Sequence, residues 1–319
     1  MSRPLAVYSD IVGTDPAPGV AALEAAGWEV RVAGSENPAT IAAVAPDAQA
    51  LLIGYSPVGV EMLDALPALR IVATQSVGTD MVDLAACAAR GISVSNVPAS
   101  ATEEVAVHAL AMALSLVRGL PQFDRSTRAG EWNPGAADAL ARPSALTVGV
   151  LGLGRIGRRF AGLAAPIFGE VVGYDPADFA VPGLERLGLE AVLRRADVLS
   201  LHLPLLPETS RLLDAQRLAL LPAGARIVNV ARGALIDKAA LLDALDSGRL
   251  AGAALDVLEV EPPDPGDALL RHPRVLASPH VAFLSPQSEI DYVVHQAENV
   301  IAVGSSGSPL SPVFAPAAA

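Results

Sequence analysis

Residues 147–157 read Thr147-Val-Gly-Val-Leu-Gly-Leu-Gly-Arg-Ile-Gly157 and set the expected class of fold. An apolar run typical of a buried strand leads directly into Gly152, Gly154 and Gly157. A second apolar run ends at Asp175, 18 residues beyond the last glycine. In a dinucleotide-binding loop the first glycine allows a tight turn, the second admits a pyrophosphate, and the third lets the helix pack on the strand. The sequence therefore predicts an NAD-type site, with Asp175 accepting hydrogen bonds from the adenosine ribose.

Composition narrows the possible functions. The chain has 319 residues, with about 150 of them before the glycine loop, so two domains are expected. A net charge of -12 disfavours nucleic acid as a partner. No apolar run approaches the roughly 18 residues of a membrane span, and the first residues lack a hydrophobic signal region, which predicts a cytoplasmic protein. The single cysteine, Cys87, is expected to be a small buried apolar residue, and no metal site is predicted.

Short apolar strands alternate with helical segments in the first hundred residues, which predicts a parallel sheet. The expected strands are Leu5–Tyr8, Glu29–Val32, Ala50–Ile53, Ile71–Ala73 and Ser93–Ser95, and the expected helices are Val20–Ala26, Val58–Leu66 and Val82–Arg90.

The middle of the chain is expected to form one long helix, Thr102–Leu120, followed by a turn-rich segment, Arg125–Arg142. His108 on this helix is interpreted as a histidine satisfied in a helix contact rather than a catalytic group. Trp132 is interpreted as a packing or subunit-contact residue. His272 and His295 are expected at the surface.

After the glycine loop the strand–helix alternation resumes and predicts a doubly wound sheet of about six strands. The expected elements are strands Val198–Leu203, Arg226–Val230, Ala253–Val257 and Val275–Ser278, helices Asp214–Leu221, Lys238–Ser247 and Pro286–Val303, and an irregular tail, Gly304–Ala319.

Three reactive side chains follow strands of this second sheet. Arg232, Glu261 and His280 stand at strand ends, which a parallel sheet brings to one edge. Arginine can bind a carboxylate with two hydrogen bonds, histidine can exchange a proton near neutral pH, and a carboxylate beside it favours the imidazolium. Taken singly, these residues could equally be a surface charge, a loop acid and a strand-end cap.

Together with the glycine loop, these motifs resemble the D-isomer-specific 2-hydroxyacid dehydrogenase family over residues 50 to 303. The matching stretches are 77–80 (Val-Gly-Thr-Asp), 96–98 (Asn-Val-Pro), 152–157, 174–176 (Tyr-Asp-Pro), 201–205 with 208–209, 229–237, 255–257, 261–262 and 278–280.

The resemblance implies a role for each matching residue. Arg232 would bind substrate, His280 would be the acid–base group and Glu261 its partner. The backbone N–H groups of Val77 and Gly78 would hold the substrate carboxylate. At the NAD, Thr102 would lie near the cofactor, Asp256 would contact the nicotinamide carboxamide, and His202 would line the site without doing chemistry.

The other residues implied at the NAD are Gly152, Gly154, Arg155, Ile156, Gly157, Asp175, Pro204, Thr209, Val230, Ala231 and His280.

The resemblance also implies a domain layout. A Rossmann NAD-binding domain, residues 98–283, would be inserted into a flavodoxin-like substrate domain, residues 1–97 and 284–319. Both would be α/β domains with doubly wound parallel sheets. A homodimer would form through residues 100–143.

Two stretches depart from the commonest family pattern. After His280 the chain reads Val281-Ala-Phe-Leu-Ser285 where many members have a glycine-rich turn, and this form is similar to the branch of the C-terminal-binding-protein corepressors. Val107 stands where an acid is frequent.

The expected function is NAD-dependent reduction of a small 2-keto acid to a D-2-hydroxy acid. The alternative is a corepressor-like protein that senses NAD(H) with little turnover. Phosphorylated or phosphonate substrates are disfavoured because the loops 54–57 and 76–80 contain no lysine or arginine.

Overall fold

The computed structural model describes residues 3–11, 14–138, 140–177 and 181–316. The chain divides into two compact units: the first is Met1–Ala101 with Leu284–Ala319, and the second is Thr102–Phe283. The sequence places the first boundary between residues 97 and 98, a few residues earlier than the structure does. Of the ranges predicted for the terminal segments, residues 1–2 and 317–319 lie outside the described residues.

The first unit is built on a six-stranded sheet. Its strands are β1 (Leu5–Tyr8), β2 (Glu29–Val32), β3 (Ala50–Ile53), β4 (Ile71–Thr74), β5 (Ser93–Ser95) and β13 (Pro312–Phe314). The order is β13-β5-β4-β3-β1-β2. The first five strands are parallel in flavodoxin-like order, as predicted. The prediction of an irregular tail was wrong at β13, which pairs antiparallel with β5.

Helices cover both faces of this sheet. They are α1 (Ala17–Ala25), α2 (Pro38–Val44), α3 (Val60–Ala65), α4 (Leu84–Ala89) and α12 (Pro286–Ser306). Alternate strand residues join two separate apolar clusters, one with α2, α3 and α4 and the other with α1 and α12. Cys87 is fully buried in the first cluster, as expected. Helix α2 was missed, although Asn37 caps its first N–H groups and Pro38 begins it.

The second unit contains a parallel sheet of seven strands. They are β6 (Thr147–Leu151), β7 (Glu170–Tyr174), β8 (Glu185–Arg186), β9 (Val198–Leu201), β10 (Ala225–Asn229), β11 (Leu250–Leu255) and β12 (Val275–Ala277). The order β12-β11-β10-β9-β6-β7-β8 reverses direction between β6 and β9, which is the Rossmann arrangement. Six strands were predicted, and the two-residue β8 was missed because its residues are charged.

The helices of the second unit complete the doubly wound architecture. They are α5 (Thr102–Val117), α6 (Leu120–Arg128), α7 (Arg155–Ala164), α8 (Leu189–Arg195), α9 (Ala215–Leu218), α10 (Lys238–Asp246) and α11 (Ala268–Arg271), with 3-10 turns at Pro143–Ala145 and Gly233–Leu235. In the described part of the chain no single helix is long and apolar enough to cross a membrane. The pair α5 and α6, bent by 66°, meets the criterion of length and composition only when taken together.

Three predictions for this unit need correction. The single helix Thr102–Leu120 is broken at Gly119, whose positive φ of 62° redirects the backbone. The segment after it is not all turn, because α6 occupies residues up to Arg128. His272 is not a surface residue, since its side chain is 10% exposed and pairs with Asp246 at 3.3 Å.

The structure also bears on what the sequence suggested for Trp132 and His295. Trp132 is 90% exposed and therefore does not pack within the described chain, so its role in a subunit contact stays a prediction. His295 is half-buried and forms a 2.9 Å hydrogen bond with the Ser100 hydroxyl, rather than lying free on the surface.

Candidate active site

The three glycines of the loop after β6 each meet a different steric demand. Gly152 has φ +93°, and a Cβ there would lie 2.6 Å from the backbone of His202. A Cβ on Gly157 would lie 1.9 Å from the carbonyl oxygen of Gly152. A Cβ on Gly154 would have nothing described within 4 Å of it. Gly154 is the N-cap residue of α7, and no side chain caps this helix. The open space and the uncapped helix N-terminus fit a pyrophosphate.

Asp175 follows β7 and is tied to the same loop. One carboxylate oxygen accepts a hydrogen bond from the N–H of Leu153 at 2.6 Å, and the other accepts from Ala177 at 2.8 Å. Arg186 donates to the carbonyl oxygens of Asp175 at 3.1 Å and Ala177 at 2.8 Å. This arginine lies on β8, a strand that the sequence did not predict.

Thr102 and Arg155 complete the predicted cofactor residues at the start of their helices. The Thr102 hydroxyl is buried and has no hydrogen-bond partner among the described residues, so it can serve a bound group. Arg155 is the first residue of α7 and is exposed, and Ile156 follows it. These residues fit a bound dinucleotide.

His202 lies behind the glycine loop. Its ring centroid is 5.1 Å from that of Phe160, and its Nε2 atom is 2.9 Å from the Ser200 hydroxyl. Burial lowers the pKa of His202 to about 3, so the ring is neutral and unsuited to proton transfer near pH 7. This agrees with the prediction that His202 does no chemistry.

The turn after His202 is closed by Thr209. Its hydroxyl donates to the carbonyl oxygen of Pro204 at 2.7 Å and accepts from the N–H of Leu206 at 2.8 Å. Thr209 is 9% exposed, and these hydrogen bonds stabilise the turn. Contact of Pro204 or Thr209 with the cofactor stays a prediction.

Arg232 extends from the end of β10. Asn229 fixes the connection, because its side chain accepts from the N–H of Ala231 at 3.0 Å and donates to the carbonyl of Arg232 at 2.9 Å. The Arg232 guanidinium donates to the Ala231 carbonyl at 2.8 Å. Val230 is 8% exposed, between the strand and this turn.

Glu261 and His280 form a direct pair. The Nδ1 atom of His280 is 2.6 Å from one Glu261 oxygen, and the other oxygen accepts from the N–H of Leu258 at 2.7 Å. Burial raises the pKa of the Glu261 carboxyl, but these two hydrogen bonds and the charges of His280 and Arg232 outweigh it and hold the pKa below its usual range. The carboxylate therefore places a proton on Nδ1 and leaves Nε2 as the reactive nitrogen.

Asp256 fixes the loop that carries His280. It follows β11, is 2% exposed, and its carboxylate accepts from the N–H groups of Val281 at 3.0 Å and Ala282 at 2.9 Å. It also accepts from the Ser278 hydroxyl. Its carbonyl accepts from the N–H of His280 at 2.7 Å. The predicted contact of Asp256 with the nicotinamide carboxamide stays a prediction, and the loop contacts had not been anticipated.

In the first unit, Val77 and Gly78 lie in the loop after β4. The Val77 carbonyl accepts from the Asn96 side chain at 2.7 Å, and the Gly78 carbonyl accepts from the Ser76 hydroxyl at 2.6 Å. Neither backbone N–H of this pair donates to another group in the described ranges. They are suited to bind an anion.

Asp10 is a further buried acid that sequence reasoning missed. It follows β1, is 8% exposed, and accepts from the N–H groups of Gly54 at 2.9 Å and Tyr55 at 2.6 Å. The hydroxyl groups of Ser9 and Ser56 each donate to it at 2.7 Å. The available signal was an acid directly after an apolar strand, as at Asp256.

Comparison with known proteins places the chain in a family. The model of the D-isomer specific 2-hydroxyacid dehydrogenase, NAD binding domain, matches residues 110–282. The chain belongs to the D-isomer-specific 2-hydroxyacid dehydrogenase family. Its two parallel-sheet α/β domains and its NAD(P)-binding character are thereby confirmed. The expected likeness to the corepressor branch stays a prediction.

Three relatives illustrate the range of the family. D-3-phosphoglycerate dehydrogenase of Mycobacterium tuberculosis is 39% identical over 295 residues, which is 91% of this chain and 54% of that protein. Glyoxylate reductase of Korarchaeum cryptofilum is 36% identical, over 77% of this chain and 76% of its own. The structure of NADPH-dependent glyoxylate/hydroxypyruvate reductase from Sinorhizobium meliloti, with NADP and malonate, is 33% identical, covers 100% of both chains and has a TM-score of 0.87. The chain spans about half the length of the phosphoglycerate dehydrogenases it matches.

Proposed function

We propose that the protein reduces a small 2-keto acid to the D-2-hydroxy acid with NADH, reversibly. The observation that carries this proposal is the pairing of His280 with Glu261 in the unit that also presents Arg232 and the glycine loop. When bound, the reduced nicotinamide supplies a hydride to C2. The Nε2 of protonated His280 gives the C2 oxygen its proton, so the ketone becomes an alcohol and the imidazole becomes neutral.

The remaining residues hold the substrate. Arg232 binds the carboxylate of the keto acid through the paired N–H groups of its guanidinium. In the first unit, the N–H groups of Val77 and Gly78 are suited to bind a carboxylate. Glu261 keeps the His280 ring in one orientation and stabilises the imidazolium before transfer. A complete acid–base pair favours this function over the corepressor-like alternative, which no comparison supports.

The substrate is proposed to be an unphosphorylated acid. The loop 54–57 contains no cation, and its Gly54 and Tyr55 N–H groups are already donated to the carboxylate of Asp10. A phosphate dianion on this loop would meet a buried negative charge and find those donors occupied. The names of the relatives include both phosphoglycerate dehydrogenase and glyoxylate reductase. The loop 54–57 favours an unphosphorylated acid such as glyoxylate.

Oxidation of NADH with a panel of keto acids tests this proposal. We expect turnover with glyoxylate, pyruvate or hydroxypyruvate and at least ~10-fold lower kcat/KM with the phosphorylated hydroxypyruvate, a difference of about 1.4 kcal/mol. Preference for the phosphorylated acid would overturn the substrate assignment. Turnover of none of the four would overturn the proposed reaction for this class of small acid.

The protein is further proposed to be a cytoplasmic homodimer that prefers NADH. Asp175 supports the cofactor choice, because its carboxylate would repel a 2′-phosphate. The dimer is supported by apolar side chains left exposed in the region 100–143. These are Val107, Leu120, Trp132 and Leu140.

A further inference from the structure

His108 lies outside the proposed reaction, yet it contacts the loop that carries the reactive histidine. Its Nε2 atom, presented by α5, is 3.0 Å from the Ser278 hydroxyl and 3.7 Å from a carboxylate oxygen of Asp256. The His108 side chain is 30% exposed. Ser278 stands two residues before His280 in the chain.

The direction of the hydrogen bonds follows from the donors available. The carboxylate of Asp256 can only accept, so the single hydroxyl hydrogen of Ser278 is donated to it. The Ser278 oxygen is then an acceptor toward His108, whose Nε2 must carry a hydrogen. The result is a directed chain from the His108 N–H through the Ser278 O–H to the Asp256 carboxylate.

This chain ends on the backbone of the reactive loop. The Asp256 carboxylate accepts from the N–H groups of Val281 and Ala282, and the Asp256 backbone carbonyl accepts from the N–H of His280. His280 has φ +53°, a left-handed conformation that is unfavourable for a non-glycine residue. Such a conformation persists only where surrounding contacts enforce it. The bonds of Asp256 to this loop are among the contacts that enforce it, and the Asp256 carboxylate itself accepts from the Ser278 hydroxyl.

We propose that His108 is a positioning residue: through Ser278 it orients the Asp256 carboxylate and so holds the His280 ring in place for proton transfer. The inference rests on the proposed function, since it assigns His108 a part in that reaction. Small misplacements of a reacting group are costly, up to about 100-fold for 1 Å. Loss of one hydrogen bond in the chain is therefore expected to lower kcat without weakening the binding of NADH.

The test compares His108→Leu, Ser278→Ala, their double variant and His108→Gln. We expect kcat to fall about 10-fold in each single apolar variant, with KM and the NADH dissociation constant changed less than about twofold. The double variant should be no slower than the slower single one, because both break the same chain. Glutamine can place an N–H near the position of Nε2, so His108→Gln should recover most of the lost rate.

A matched control removes a histidine contact elsewhere in the same unit. His272 precedes β12, whereas the reactive loop follows it, and it pairs with Asp246 at 3.3 Å, so His272→Gln should leave kcat unchanged. Unchanged kcat in His108→Leu, or losses that multiply in the double variant, would overturn the proposal. Failure of glutamine to restore the rate in a protein with normal melting temperature would also count against it.

A second readout does not depend on turnover. Hydrogen–deuterium exchange of the peptide containing Val281 and Ala282 should accelerate in His108→Leu and Ser278→Ala and stay near the native rate in His108→Gln. If the native protein reduces no keto acid while this pattern holds, the reaction is wrong and the loop-holding chain is right. If exchange of this peptide is unaffected, the chain does not hold the loop, whatever the activity.

Discussion

Glu261 makes two hydrogen bonds with two different consequences: one fixes the loop at Leu258 and the other fixes the ring of His280. Its pKa lies below the usual range, because burial, which raises it, is outweighed by these bonds and by the charges of His280 and Arg232. The carboxylate is therefore charged throughout the neutral range, and its support of the imidazolium is lost only when pH falls through that lowered pKa.

Replacing Glu261 with Gln keeps the shape and removes the charge. Native kcat/KM for reduction is expected to decline as pH falls through the lowered pKa of Glu261, because the protonated carboxyl no longer supports the imidazolium. Glu261→Gln should be slower at neutral pH and should lack this acid limb, and His280→Ala should be nearly inactive at every pH. Rates of keto acid reduction across pH for the three proteins check this. An acid limb that persists unchanged in Glu261→Gln would show that it does not arise from this carboxylate.

Arg232 provides geometry as well as charge. Arg232→Ala is expected to lower kcat/KM at least ~100-fold while NADH binding is nearly retained, because the lost interaction is with substrate. Arg232→Lys should also be strongly impaired, since a point charge cannot make two parallel hydrogen bonds to a carboxylate. Steady-state kinetics with fluorescence titration of NADH separate the two effects. Equal loss of NADH affinity would identify Arg232 as a structural residue.

Asp175 should set the choice of cofactor. Its carboxylate, fixed by the N–H groups of Leu153 and Ala177, stands where a 2′-phosphate would be repelled. We expect kcat/KM with NADH to exceed that with NADPH at least ~10-fold, or about 1.4 kcal/mol. The guanidinium of Arg186 donates to the backbone carbonyl of Asp175, so a positive charge remains there when the carboxylate is removed. Asp175→Ala is therefore expected to reduce the preference for NADH over NADPH. Equal use of the two cofactors by the native protein would contradict this assignment.

At the scale of elements, α7 carries two glycines with opposite expectations. A Cβ on Gly157 would collide with the Gly152 carbonyl, whereas Gly162 on the same helix has nothing described within 4 Å of that position. Gly157→Ala should therefore abolish NADH binding or folding. Gly162→Ala should stabilise the protein by about 0.5–1 kcal/mol, since alanine favours helix. Thermal melting and NADH titration of both variants provide the comparison, and equal behaviour of the two would contradict the steric argument.

The elements that could be predicted are those with strong apolar patterns. The strands β1 and β3 have their predicted bounds because buried parallel strands are continuous apolar runs. The strands β2 and β5 also have their predicted bounds, and in both of them apolar valines alternate with polar residues. The elements missed are short or polar. Helices α2 and α8 have seven residues each, α11 has four and α6 is largely polar, while β8 is Glu-Arg and β13 forms only by pairing with β5. Such elements depend on tertiary contacts, which a local pattern does not contain.

The same limit applies to the site. The residue types that follow the strands were sufficient to predict that Glu261 and His280 lie together, because parallel strands end at the same edge of a sheet. The hydrogen bonds of Asp256 to the loop 278–282 were not foreseeable, since they depend on the left-handed backbone at His280. Asp10 was overlooked for a similar reason, because its partners other than Ser9 lie 44 to 46 residues away.

For the whole molecule the open prediction is the homodimer. Trp132, 90% exposed, is a large apolar side chain with no partner to bury it within its own described unit. We expect a dimer by light scattering coupled to gel filtration, and a weaker dimer in Trp132→Ser. Val313→Ser, at a 39% exposed position in the other unit, serves as the control. A native monomer would refute the assembly, and a dimer unaffected by Trp132→Ser would place the contact elsewhere.

The division of the first unit between the two ends of the chain has a consequence for biosynthesis. Its sheet lacks β13 and one of its faces lacks α12 until residues 284–316 have left the ribosome. Gln296 on that helix donates to the carbonyl oxygens of both Ile53 and Ala73, so strands made early await a partner made after the whole second unit. The second unit is one uninterrupted segment and can fold as soon as it emerges. The nascent chain is thus expected to acquire its dinucleotide-binding unit first, while the sheet of its first hundred residues stays incomplete until residues 284–316 have emerged.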